Sequence, residues 1–160
     1  MAKIARKYMA HYIDSAVTSP AVYNRLGADL EEFVIEMNAN VESKQNILGE
    51  TSKSVDSYEP QASVEPYYAS SGDPLYTRLQ KIADERLVLD DLKTTTVEVH
   101  LWEEDETEGS YVAYREDAII EVVSYGGDST GLQIPFNIHN IGNRVKGLFD
   151  LSTKTFTPDA

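Results

Sequence analysis

The sequence predicts a mainly β fold with one flanking α-helix. Three observations carry that expectation. Runs such as "TTTVEVHLW", "YVAYREDAIIEVVSY" and "LQIPFNIHN" alternate apolar with polar residues at the period of a strand. A single segment, "DPLYTRLQKIADERLVL", carries its apolar residues at helical spacing. Residues 38–72 are rich in Ser, Glu and Pro with isolated apolar positions, too few to form a core of their own.

The length of 160 residues suits one domain spanning 1–160, large enough to bury most of the apolar surface of its unfolded chain. Acidic residues outnumber basic ones by 27 to 14, a formal charge of -13, which disfavours tight general binding to nucleic acid. Cysteine is absent, which removes disulfides, thiolate nucleophiles and thiolate metal sites together. The opening "MAKIARKYMA" carries Lys3, Arg6 and Lys7 and lacks the apolar run of a signal peptide, so residues 1–10 read as a basic N-terminal tail. The expectation is a soluble protein made in a cytoplasm, with no membrane partner.

Along the chain, "TSPAVYNRLGADL" holds Pro20 and Gly27 among polar residues and predicts a loop with a turn at Gly27. In "EEFVIEM", Phe33, Ile35 and Met37 alternate with Glu32, Val34 and Glu36, which predicts a half-buried strand. The stretch 38–72 reads either as a linker or as an extended arm fixed by a neighbour. Ile47, Leu48, Tyr58, Tyr67 and Tyr68 support the arm, because apolar and aromatic side chains are costly to leave in water and serve as anchors on another subunit. "SVDSYEPQASV" adds a strand to it.

The helix begins with Asp73 as the cap and Pro74 at the first position, where a missing N–H costs nothing. Leu75, Leu79, Ile82 and Arg86, with Ala83 and Leu87 beside them, form the stripe that lies on a sheet. In the first strand after it, Val97, Val99 and Leu101 share one face, opposite Thr96, Glu98, His100 and Trp102. The second has a charged middle at Arg115, Glu116 and Asp117, which predicts a bulge or a polar rim. The third points Leu132, Ile134, Phe136 and Ile138 one way, and Pro135 places it at an edge or with that position facing out. Gly142 and Gly147 mark a final turn before a strand in "GLFDLSTKTF".

Motifs for chemistry fail on context. Gly126, Gly127 and Gly131 lie between two strand-like runs, whereas a dinucleotide fingerprint needs a helix after them and a Walker loop needs Lys and Ser or Thr where Leu132 and Gln133 stand. "YGGDSTG" predicts a hairpin turn instead. "EEDETEG", 103–109, lacks the ligand spacing and central glycine of a calcium loop and reads as a solvated hairpin tip. His11, His100 and His139 have no partner at metal spacing, and no local serine signature is present. No catalytic, metal or cofactor residue is assigned, and the expectation is a protein that is not an enzyme and carries no cofactor.

"YNRLGADLEEFVIEMNANVESKQNILGE", "SVEPYY", "GDPLYTRLQKIADER", "LDDLKTTTVEVHLWE" and "YVAYREDAIIEVVSYGGDSTGLQIPFNIHNIGNRVKGLFD" together resemble the tail tube (major tail) proteins of tailed bacteriophages and prophages of Gram-positive bacteria. The resemblance runs along nearly the whole chain and lies in segment order and texture. It implies a β-sandwich or barrel-like subunit that assembles into hexameric rings, stacked as the hollow tube of the virion tail through which DNA is ejected. The arm, about 38–72, would reach neighbouring subunits. Strand faces would line the lumen, with Glu32 and Glu36, then Glu98 and Asn137, as candidates; the same carboxylates would equally serve solubility. The implied partners are further copies of the chain, the tape-measure, terminator and baseplate or tip proteins, and DNA in transit. A tail terminator, the inner tube of a contractile tail or tail-like bacteriocin, and a small-ligand domain or enzyme with a site built from distant residues stay open as alternatives.

Overall fold

The computed structural model describes residues 2–16 and 20–159. In chain order they form β1 (Met9–Asp14), β2 (Tyr23–Leu26), β3 (Ile35–Glu36), β4 (Ala39–Gln45), β5 (Thr51–Tyr58), β6 (Gln61–Val64), α1 (Pro74–Glu85), β7 (Lys93–Glu104), β8 (Ser110–Val122), β9 (Gly126–Asp128), β10 (Gly131–Gln133), β11 (Phe136–Asp150) and β12 (Thr155–Pro158). One eight-stranded sheet runs β2-β1-β7-β8-β11-β6-β3, with β12 paired to the far end of β11. β4–β5 and β9–β10 are separate two-stranded hairpins.

Both faces of the sheet are covered. Tyr12 and Ile13 are neighbours in β1 and so point to opposite faces, and they belong to two different apolar clusters. One cluster joins Ile13 to Ile120, Phe136, Ile138 and the helix residues Leu75, Leu79 and Ile82. The other joins Tyr12 to Val97, Val99, Ala113, Phe149 and Phe156. Residues 10–14 are buried without alternation for this reason, which is why β1 carries no strand period in the sequence.

The expected barrel-like closure is corrected by this topology. Among the described residues no ladder joins β2 to β3 or to β12, so the sheet is open. A barrel packs one interior face and pairs its first strand with its last. Here the apolar side chains are divided between two faces, and the edge strands β2 and β3 have only four and two residues. The mainly β character with one flanking helix stands.

α1 starts where its cap predicts. Asp73 accepts a hydrogen bond from the Leu75 amide at 3.0 Å, and its carboxylate also takes the Asn24 amide at 2.8 Å and the Tyr67 hydroxyl. One cap thus ties β2, the 65–72 segment and the helix together. The helix ends earlier than its stripe suggests, because Arg86 turns into the left-handed region at φ 51 and leaves the buried face. Arg78 donates to the carbonyls of Asp14 and Lys93, clamping the helix to the sheet.

Several other expectations change. The predicted loop 18–30 contains β2, while Thr18 and Ser19 lie outside the described residues, as does Met1 of the tail. The strand expected over 32–37 shortens to Ile35–Glu36; Phe33 and Ile35 are half-buried, but Met37 is exposed. Of the face predicted for 132–138, Leu132 is exposed. Gly142 and Gly147 do not end a strand: β11 runs fifteen residues through both. At Gly147 a Cβ would sit 2.3 Å from the Thr157 carbonyl and 2.7 Å from the Phe156 ring, so only glycine lets β12 lie this close. "YGGDSTG" forms the β9–β10 hairpin, with Asp128 accepting from the Thr130 amide at 2.9 Å.

Leu79 sits fully buried between helix and sheet, and Leu79→Ala is expected to cost about 3 kcal/mol in urea unfolding. Val55→Ala, in the exposed β4–β5 hairpin, is expected to change stability by less than about 0.5 kcal/mol. Equal losses at the two positions would contradict this division of the chain into core and projection.

Candidate functional site

Every residue of β4 and β5 is exposed. A two-stranded hairpin is marginal by itself in water, so this one depends on its turn and its base. At the turn, the Asn46 carboxamide oxygen accepts from the amides of Leu48 and Glu50 at 2.9 and 3.0 Å, and Gly49 takes φ +81. Those bonds hold the loop rigid and leave Ile47 and Leu48 pointing into solvent, 102 % and 76 % exposed. At the base, the Glu59 amide donates to the Met37 carbonyl at 3.1 Å and the Asn38 amide group to the Glu59 carbonyl at 3.0 Å.

The base opens onto a cleft of about 1040 Å³ lined by Met9, Phe33, Val34, Met37, Tyr58 and Ile141, with Arg6, His11, Glu98, Glu116, Asn140 and Arg144 among its polar groups. Its floor is built by bulges in β11. Pairing with β8 slips between Asn140 and Gly142 and again between Gly142 and Val145, so Ile141, Asn143 and Arg144 stand out from the ladder on either side of the Gly142–Asp117 pair. The charged middle of β8 meets them: Arg144 donates to Glu116 and to Glu98, both at 3.1 Å, and Asn143 donates to Asp117 at 2.7 Å. β8 itself keeps an unbroken register against β7 from Ile119 to Ala113, so the bulge expected near Arg115 belongs to the opposite strand. Arg144 also lies 4.4 Å from the centre of the Tyr114 ring. The Asn140 Oδ1 atom is buried with no hydrogen-bond partner among the described residues.

Arg6 closes another side of the cleft. It donates to the Met9 carbonyl at 2.7 Å, to the Phe33 carbonyl at 3.0 Å and to His11 Nε2 at 3.0 Å. The His11 ring packs against Phe33 at 4.4 Å. Burial, reinforced by the Arg6 charge, lowers the His11 pKa from 6.5 to about 4, so its ring is neutral and accepts from Arg6. Further out on the sheet His100 stacks on Trp102 at 4.5 Å and bonds Glu98 at 2.9 Å.

The predicted arm residues separate. Ile47 and Leu48 form the hairpin tip and Tyr58 stands exposed at its base. Tyr67 instead packs on Phe136 inside the body, and Tyr68 bridges to Gln133. The arm expected over 38–72 is therefore a projecting hairpin at 39–58 followed by body strand β6. Among the lumen candidates, Glu32 and Glu36 are exposed. Glu98 is largely covered and held by Arg144 and His100. Asn137 lies with Ser63, Glu121 and His139, accepting from Ser63 at 2.8 Å. Glu98 pairs with His11, opposite the Tyr12 face, and Asn137 alternates with Phe136 and Ile138, so these two occupy opposite faces and share no wall. Arg6, His11, Phe33, Glu116 and Arg144 were not singled out as site residues by the sequence; the unalternating "AHYI" was the one local signal of a doubly covered strand.

No protein-family model matches the chain, and no curated protein matches it.

Two outcomes follow for this region. Arg144→Met leaves Glu116, only 8 % exposed, and Glu98 without their cation, and a loss of about 2 kcal/mol is expected in urea titrations, with Arg144→Lys recovering part of it. For His11, the unfolded chain gains its proton near pH 6.5 and the folded chain only near 4. Its contribution is therefore complete above 6.5 and is lost as pH falls from 6.5 to 4, by about 3 kcal/mol. His11→Gln should flatten the stability profile across that window; a slope equal to the wild type would rule the assignment out.

Proposed function

We propose that the chain is a structural, non-catalytic subunit that assembles with copies of itself into stacked hexameric rings, the hollow tail tube of a bacteriophage virion through which DNA passes. The single observation that supports this reading most is the β4–β5 hairpin. It projects a rigid apolar tip whose burial on a neighbour is worth roughly 1.5–3 kcal/mol per side chain, and it contributes no buried residue to its own fold. The resemblance in segment order supports the tail tube in particular. A formal charge of -13 is compatible with a conduit that repels phosphates and does not retain them.

In this reading the hairpin ties subunits together, the doubly covered sheet supplies the rigid unit, and exposed carboxylates such as Glu32 and Glu36 repel passing DNA. Tape-measure, terminator and baseplate or tip proteins complete the tail, which forms in the host cytoplasm.

Negative-stain electron microscopy of the concentrated protein is expected to reveal hollow tubes of uniform width. Replacing residues 40–57 by an Asn-Gly turn between Ala39 and Tyr58 should keep the folded subunit and abolish the tubes. Single rings that never stack would favour a terminator, and tubes formed without the hairpin would remove its role.

A further inference from the structure

We infer that the cleft between Arg6 and the β11 bulge is the receptor for the hairpin tip of a second copy of this chain. The inference rests on the self-assembly reading and names the surface that reading lacks.

Tip and cleft match in chemistry. The tip offers two adjacent aliphatic side chains held outward by the Asn46 turn. The cleft offers Val34, Met37 and Ile141, each more than half exposed, which is unusual for neighbouring large apolar groups unless something covers them. Of the cleft's carboxylates, Glu98 and Glu116 are already held by Arg144 and Glu59 stands exposed, so Arg6 is the cation left for an acidic group to meet. Arg6 is held by two carbonyls and His11, with no carboxylate partner among the described residues, while Glu50 follows Leu48 by two positions on the tip. Insertion of Ile47 and Leu48 brings an acidic group beside that cation.

The occupant must come from another molecule. Tyr58 and Glu59 at the base of the hairpin line the cleft themselves. The seven residues of β4 extend the tip by roughly 23 Å at about 3.3 Å per residue, so a chain cannot fill its own cleft with its own tip. Tip and cleft are different patches, so each subunit gives one contact and receives one. Such a head-to-tail contact propagates, closing into a ring where the rotation permits and continuing as a helix otherwise. A pre-formed turn also loses little conformational freedom on docking.

The absence of cysteine makes a direct test clean. Leu48→Cys and Ile141→Cys, both at exposed positions, are prepared as separate proteins, one carrying a mass tag, then mixed and oxidised with diamide. A disulfide needs the two Cβ atoms within about 4.5 Å, which docking provides. The tagged heterodimer is expected as the main product. A control mixture of Leu48→Cys with Thr157→Cys, on the exposed outer strand β12, should give at least about tenfold less, because docking raises the local thiol concentration only at the cleft. Adding Ile47→Asp to the Leu48→Cys protein should lower the heterodimer to the control level. Equal yields from the two mixtures overturn the inference. If tubes are nevertheless seen in that sample, self-assembly stands with another receptor; a specific cross-link without rings or tubes keeps the docking surface and removes the tube reading.

Discussion

The structure depends on a change of apolar phase within its long central strands. In β8 the buried alanine at the start, Ala113, belongs to one face, while Ala118 and Ile120 belong to the other. β11 does the same with Phe136 and Ile138 at one end and Phe149 at the other. A sheet whose strands change face in this way cannot close around one interior. Each side is buried in its own way: α1 packs on one, and on the other the sheet's own residues Tyr12, Tyr23, Phe149 and Phe156 pack against one another.

At the crossover the strand has no apolar side chain to present, and Arg115, Glu116 and Asp117 stand there instead. Burying such groups is costly unless each is answered. Arg115 lies over the Phe156 ring at 5.1 Å, Asp117 takes Asn143, and Glu116 takes Arg144. The last two partners come from the β11 bulges, so the irregularity in that strand supplies what the charged middle of its neighbour lacks. The same protrusion places Ile141 on the cleft. Packing, charge satisfaction and the shape of the candidate receptor surface therefore trace to one pair of inserted residues.

The hairpin obeys a different logic. Its order comes from the Asn46 turn and from backbone bonds at its base, with no contribution from either core. Stability and projection are thus separated in the chain: residues that fold the body leave the tip free to be changed without loss of the fold.

What the sequence determined by itself was local. The helix with its Asp73 cap, the strand period of 94–102, the shared face of Phe136 and Ile138, the hairpin tip at 103–109 and the aliphatic pair in 38–72 follow from spacing within a few residues, which is the range over which periodicity and turn chemistry act. The expected run 132–138 is divided between β10 and β11, with Leu132 exposed. Tertiary structure decided the rest. β1 was illegible because burial on both faces erases alternation, and β2 because a short edge strand among Pro20 and Gly27 resembles a loop. Tyr67 read as an arm anchor until Phe136 and Asp73 claimed it. Arg144 meets Glu98 across 46 positions and Glu116 across 28, and no local pattern encodes such a pairing. Whether the sheet closed was likewise a question of which face each apolar residue covers once all eight strands are side by side, a property of the assembled topology that no single segment carries.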